Sequence, residues 1–222
     1  MRLLLLFSGL SVLIGGFTVV AEDEALAGAL VYDQDFDKAK PGEAPDDLFV
    51  IDGDFVVAEE EGNRFLELPG DPIQENGFLF GKSSKGAARV EVSIRGKKKR
   101  RSYPRFGIGL HGISGFRLRV VPGNDEIELL KDEEVVTNKA FDWKSNAWCH
   151  LALEVSQSGG HWVVKGWAWH GKVGDRPETP VFSHRAEGPP GQGKASAWGS
   201  PYSGQVIQFD DLKSFSSSPQ VK

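Results

Sequence analysis

Between positions 30 and 215 apolar and polar residues alternate with a period of two, in short runs broken by glycine, proline, asparagine and aspartate. No window carries apolar residues at the 3.6-residue spacing of an amphipathic helix. The pattern predicts fifteen short strands, clearest at 88–94, 106–110, 116–121, 148–155, 162–169 and 205–215. Strands of this number and length bury their apolar faces as two antiparallel sheets packed face to face. The expected fold is therefore all-β, a two-sheet antiparallel β-sandwich.

One hairpin can be registered from the pattern alone. With Gly123-Asn124 as a two-residue loop between residues 116–122 and 125–130, Val120 faces Ile127, Leu118 faces Leu129 and Arg119 faces Glu128. Apolar pairs then fall on one face of the ladder, and an exposed opposite-charge pair on the other.

Residues 1–21 read as a secretory signal: Arg2 supplies the positive start, residues 3–14 are almost uninterruptedly apolar, and Val19-Val20-Ala21 offers small residues for cleavage. Removing Arg2 with this segment turns the formal charge of −5 into −6. An acidic balance argues against nucleic acid as the main partner. Residues 22–29 then form a short lead, 30–215 the domain and 216–222 a frayed tail, with no membrane span after cleavage. Cys149 is the only cysteine, so no internal disulfide staples the fold. It shares a strand face with Leu151, Leu153 and Val155, the setting of an inert core thiol.

Catalytic signatures are absent from the sequence. There is no Gly-x-Ser-x-Gly elbow, no His-Glu-x-x-His pair and no phosphate-cradling Gly-x-x-x-x-Gly-Lys-Ser/Thr loop. The five histidines show no metal-ligand spacing.

The opening segment Val31-Tyr-Asp-Gln-Asp-Phe-Asp37, the closing Phe209-Asp-Asp-Leu212, and the ordered motifs Phe141-Asp-Trp143, Trp148-Cys-His-Leu-Ala-Leu-Glu-Val155 and Val164-Lys-Gly-Trp-Ala-Trp169 together resemble the secreted concanavalin A-like jelly rolls. That group includes laminin-G-like and 3-keto-disaccharide hydrolase-like domains. The resemblance implies a jelly roll and an exported, periplasmic or extracellular location. It delivers no active site, because the Glu-x-Asp-x-x-Glu string of the glucanase branch is missing.

Three features are candidates for function. Trp167 and Trp169, two apart on a strand with Lys165, share one sheet face, either as a sugar-stacking platform or as a buried pair. Six cations lie within Arg95-Gly-Lys-Lys-Lys-Arg-Arg101; Lys98, Lys99 and Arg100 at its centre suit either an anionic glycan or a solvated hairpin tip. Glycines flanking Arg105, His111 and Tyr202 permit a groove if residues 103–112 and 198–204 adjoin. Asp35 or Asp37 is additionally expected to meet Asp210 or Asp211 across neighbouring first and last strands, where a structural calcium would neutralise them; alternatively one aspartate accepts backbone hydrogen bonds. The leading expectation is a non-catalytic module for extracellular polysaccharide. A glycoside-processing hydrolase and an adhesion domain with a protein partner stand beside it.

Overall fold

The computed structural model describes residues 28–71 and 74–217. The signal segment 1–21, most of the lead and the tail beyond Ser217 lie outside them. Among the described residues no helix is long and apolar enough to cross a membrane.

Two antiparallel sheets form the sandwich. The first holds β1 (Ala29–Gln34), β3 (Val56–Glu60), β4 (Asn63–Leu68), β6 (Ala88–Gly96), β11 (Trp148–Ser158), β12 (His161–His170), β13 (Phe182–Ala186) and β15 (Ile207–Ser216). Its order is β13-β12-β11-β6-β15-β4-β3, with β1 paired to the second half of β15. The second holds β2 (Phe49–Asp52), β5 (Asn76–Lys85), β7 (Arg105–Leu110), β8 (Phe116–Val121), β9 (Glu126–Lys131), β10 (Glu134–Ala140) and β14 (Gln192–Ser200), in the order β10-β9-β8-β7-β14-β5-β2. All fifteen predicted segments are strands. β5 runs on to Lys85 through the polar stretch Gly81-Lys-Ser-Ser-Lys85, which carries no alternation to announce it.

The inward residues of both sheets build one core. Leu118, Val120, Ile127 and Leu129 meet Val90, Val92, Leu151 and Leu153, and Phe55, Phe78 and Phe209 contact each other edge-on, with centroids 5.0–5.9 Å apart. Edge-to-face packing sets the positive rim of one ring against the negative face of the next. Cys149 is fully buried in this core, and burial pushes its thiol pKa up, as an inert thiol requires.

The β8–β9 register is the expected one, with Leu118 opposite Leu129, Arg119 opposite Glu128 and Val120 opposite Ile127. The turn differs. Val121 pairs with Glu126, so the connection is four residues long, a 3-10 turn at Pro122–Asn124 closed by Asp125 at φ 54°. Pro122 has no N–H to offer the ladder, and Asp125 is one of the residue types that tolerate the left-handed region. The Arg119–Glu128 pair, N to O 2.8 Å, is also not fully exposed: its side chains keep 23% and 11% of their accessibility.

Gly96, at the end of β6, pairs with Ile207 at the start of β15, and Arg105, at the start of β7, pairs with Ser200 at the end of β14. The connections 97–104 and 201–206 therefore emerge at one end of the sandwich.

Candidate functional site

The segments that carry Arg105 and Tyr202 do adjoin, because β7 and β14 are hydrogen-bonded neighbours. Arg105 is exposed and holds its guanidinium 5.4 Å from the centroid of the Tyr202 ring, which keeps 42% of its accessibility. A cation over an aromatic face at this distance is attracted by the ring quadrupole, and the contact fixes the orientation of a ring that solvent still reaches.

The basic run continues from this pair. Lys97, Lys98, Lys99, Arg100 and Arg101 are all exposed on the β6–β7 connection between the sheets, a small hairpin turn of its own whose tip is closed by Lys99 and Ser102 exchanging backbone hydrogen bonds of 3.0 Å. Arg100 sits at its turn with φ 58°. Lys98 is tied back through its own N–H to Ser145 Oγ at 3.0 Å, with its amine 5.9 Å from the Tyr103 ring. Arg95 does not belong to this tip. It lies inside β6 and turns onto the outer face of the first sheet, so the loop carries five cations and the sheet the sixth.

His111 stands apart from Arg105 and Tyr202, at the other end of β7. It is buried, with Nε2 donating to the Gly86 carbonyl at 2.9 Å, and burial lowers its pKa below the usual histidine value. The groove expected from three glycine-flanked residues therefore reduces to Arg105 and Tyr202.

Trp167 and Trp169 share one face with Lys165, as the alternation requires, and pack on Ala152 outside the main core. They offer no open platform. The 171–181 segment covers them: Arg176 lies 5.1 Å over Trp167 and pairs with Glu91, while Trp169 Nε1 donates to the Lys172 carbonyl at 3.0 Å. Only 6–7% of either side chain remains accessible.

First and last strands neighbour each other as expected, Gln34 pairing with Leu212. Asp35 is exposed, and its Oδ1 accepts from the N–H of Asp37 at 3.2 Å. Asp210 is buried: Oδ1 accepts from the Asp211 N–H at 2.8 Å and Oδ2 from Asn63 Nδ2 at 2.9 Å. Burial, reinforced by the charges of Asp211 and Asp37, raises its pKa to about 6 against the two hydrogen bonds that lower it. Among the described residues no group of three or more His, Cys, Asp or Glu side chains is arranged to hold a metal ion.

Sequence reading missed a cleft on the outer face of the first sheet, lined by Glu60, Glu61, Asn63, Phe65, Arg95 and Trp148, with a volume of about 200 Å³. Arg95 packs 4.9 Å from the Trp148 ring centroid and 5.5 Å from that of Phe65. It donates through Nε to Gln208 Oε1 at 2.6 Å and pairs with Glu60. The available signal was parity: Trp148 alternates out of phase with the apolar Cys149, Leu151 and Leu153.

No protein-family model matches the chain, and no curated protein sequence matches it. Solved structures do. The carbohydrate binding module CBM66 from Bacillus subtilis superposes with a TM-score of 0.52 at 13% identity, over 77% of this chain and 96% of that one. The carbohydrate recognition domain of Emp47p gives 0.56 at 8% identity, over 85% and 97%. A GH131 β-glucanase catalytic domain from Podospora anserina gives 0.51 at 12% identity, over 87% and 98%. The shared feature is the sandwich, on which both binding domains and an enzyme are built; the function has to be argued from the site.

Proposed function

We propose that this chain is an exported carbohydrate-binding β-sandwich that holds anionic glycans at the end formed by residues 97–105 and Tyr202. The observation that carries the reading is the exposed Tyr202 ring, held by Arg105 at the root of a hairpin with five exposed cations. An exposed aromatic face stacks on the C–H face of a sugar ring, and a cluster of solvated cations attracts sulfate or carboxylate along a polymer. The likeness to a carbohydrate binding module and to a carbohydrate recognition domain is consistent with this reading. The signal-like residues 1–21 support export, which puts such a polymer within reach.

The test is a binding isotherm with a sulfated polysaccharide at stepped salt. Attraction between exposed charges weakens as the screening length falls from about 10 Å at 0.1 M to about 3 Å at 1 M. Affinity that drops steeply across that range is the expected result; no binding at low salt to sulfated or carboxylated glycans overturns the reading.

A further inference from the structure

The cleft of Glu60, Glu61, Asn63, Phe65, Arg95 and Trp148 differs in chemistry from the basic hairpin. Two carboxylates against one guanidinium leave it with a formal charge of −1, so it repels the anions that the hairpin attracts. Its volume of about 200 Å³ is below the range of about 300 Å³ upward usual for drug-sized ligands, so it suits a single small ring.

Its polar groups are prearranged. Arg95 and Glu60 are already paired, and Arg95 is held from behind by Gln208, whose amide donates to Glu67 Oε2 at 2.9 Å. Asn63 is fixed through one N–H to Asp210, which leaves its carboxamide oxygen outside that bond. A paired guanidinium and carboxylate present a donor beside an acceptor. A hydroxyl both donates and accepts, so neighbouring hydroxyls of one ring can give to Glu60 and receive from Arg95 with no charge of their own. Trp148, half-buried beside this pair, supplies apolar surface for the C–H face of the same ring.

We infer that this cleft is a second carbohydrate subsite, specific for one neutral hexopyranose unit, with Trp148 as its stacking surface and Arg95, Glu60 and Asn63 as its hydroxyl partners. It rests on the carbohydrate-binding reading above and adds a ligand of different charge at a different place. Trp148 and Gly96 border the same end of the sandwich as the hairpin, so a glycan with a neutral terminal unit and anionic units behind it would satisfy both.

The experiment is a titration of the full domain with the methyl glycosides of glucose, galactose and mannose, followed by indole N–H shifts in two-dimensional NMR and by calorimetry. At least one glycoside is expected to shift the Trp148 resonance with an affinity insensitive to salt. Trp148→Ala should weaken that binding by about tenfold or more. Trp148→Phe, which keeps an aromatic face, should recover part of it, and Asn63→Ala should weaken it while also lowering the melting temperature, because the same side chain donates to buried Asp210. Replacing Lys98, Lys99 and Arg100 with serine should leave it unchanged. No shift with any of the three glycosides, or equal binding by Trp148→Ala and Asn63→Ala, overturns the subsite even if the sulfated polymer binds. Glycoside binding without polymer binding overturns the hairpin reading and leaves the cleft standing.

Discussion

Arg105 and Tyr202 meet across the open ends of β7 and β14, guanidinium to ring centroid 5.4 Å. Neither is needed to bury the core. Tyr202→Ala is therefore expected to reduce affinity for a sulfated polysaccharide several-fold while the melting temperature changes little, because surface substitutions away from buried networks cost within about 0.5 kcal/mol. Calorimetric titration beside a thermal melt checks both halves; unchanged affinity would remove Tyr202 from the site.

Replacing Lys98, Lys99 and Arg100 with serine should lower both the affinity for that polymer and the slope of affinity against salt. Solvated loop charges contribute little to folding, so stability should hold. A variant with the parent's affinity and salt slope would mark the tip as merely solvated.

Asp210 gives the fold a pH dependence of definite sign. Its pKa is raised from 3.8 to about 6, so the folded state binds this proton more tightly than the unfolded chain. The ionised group opposes folding: the cost is absent below about pH 4, grows through the window to pH 6 and is fully present above it, amounting to about 3 kcal/mol. Stability from this group thus falls as pH rises. Asp210→Asn removes the titration, so the stability difference between variant and parent should shift in the variant's favour by a few kcal/mol from pH 4 to pH 7.5. Denaturant titrations at the two values decide it, and an identical difference at both would refute the assignment.

Gly77 lies under the Trp198 indole, and a Cβ there would come within 2.3 Å of the ring. The indole is held in place by Arg117, 4.3 Å over its face, and by its own Nε1 donating to Ser196 at 2.9 Å. Arg117 in turn pairs with Glu75 and Glu133. With no easy retreat for the ring, Gly77→Ala should destabilise by about 1–3 kcal/mol, read as a lowered urea midpoint. An unshifted midpoint would show that the indole moves aside freely.

The strands and the β8–β9 register were legible because both follow from period-two alternation, which is local. Alternation also put Trp167 and Trp169 on one face. What lies over that face was not legible, since Arg176 reaches Trp167 only once the chain after β12 has folded back on the sheet. The cleft failed for a similar reason: Arg95, Phe65 and Trp148 converge through the β11–β6 and β6–β15–β4 pairings, which link residues far apart in sequence. Parity would have separated Arg95 from the hairpin cations, because Arg89, Glu91 and Ser93 already marked the odd positions of β6 as outward. Asp210 lies on the last strand, which pairs with the first, and its two oxygens accept from Asn63 and a backbone N–H; neither partner could be read from alternation.

The turn that carries the cations is also one of the links that take the chain from one sheet to the other. Each strand it joins is gripped on both sides, β6 by β11 and β15, β7 by β8 and β14. A trypsin-like cut within Lys97–Arg101 would sever the covalent path from β6 to β7 without freeing either strand. The product would be a two-chain complex, its halves interleaved in the first sheet and held by the same core, so chain continuity matters least at the point where the charge is greatest.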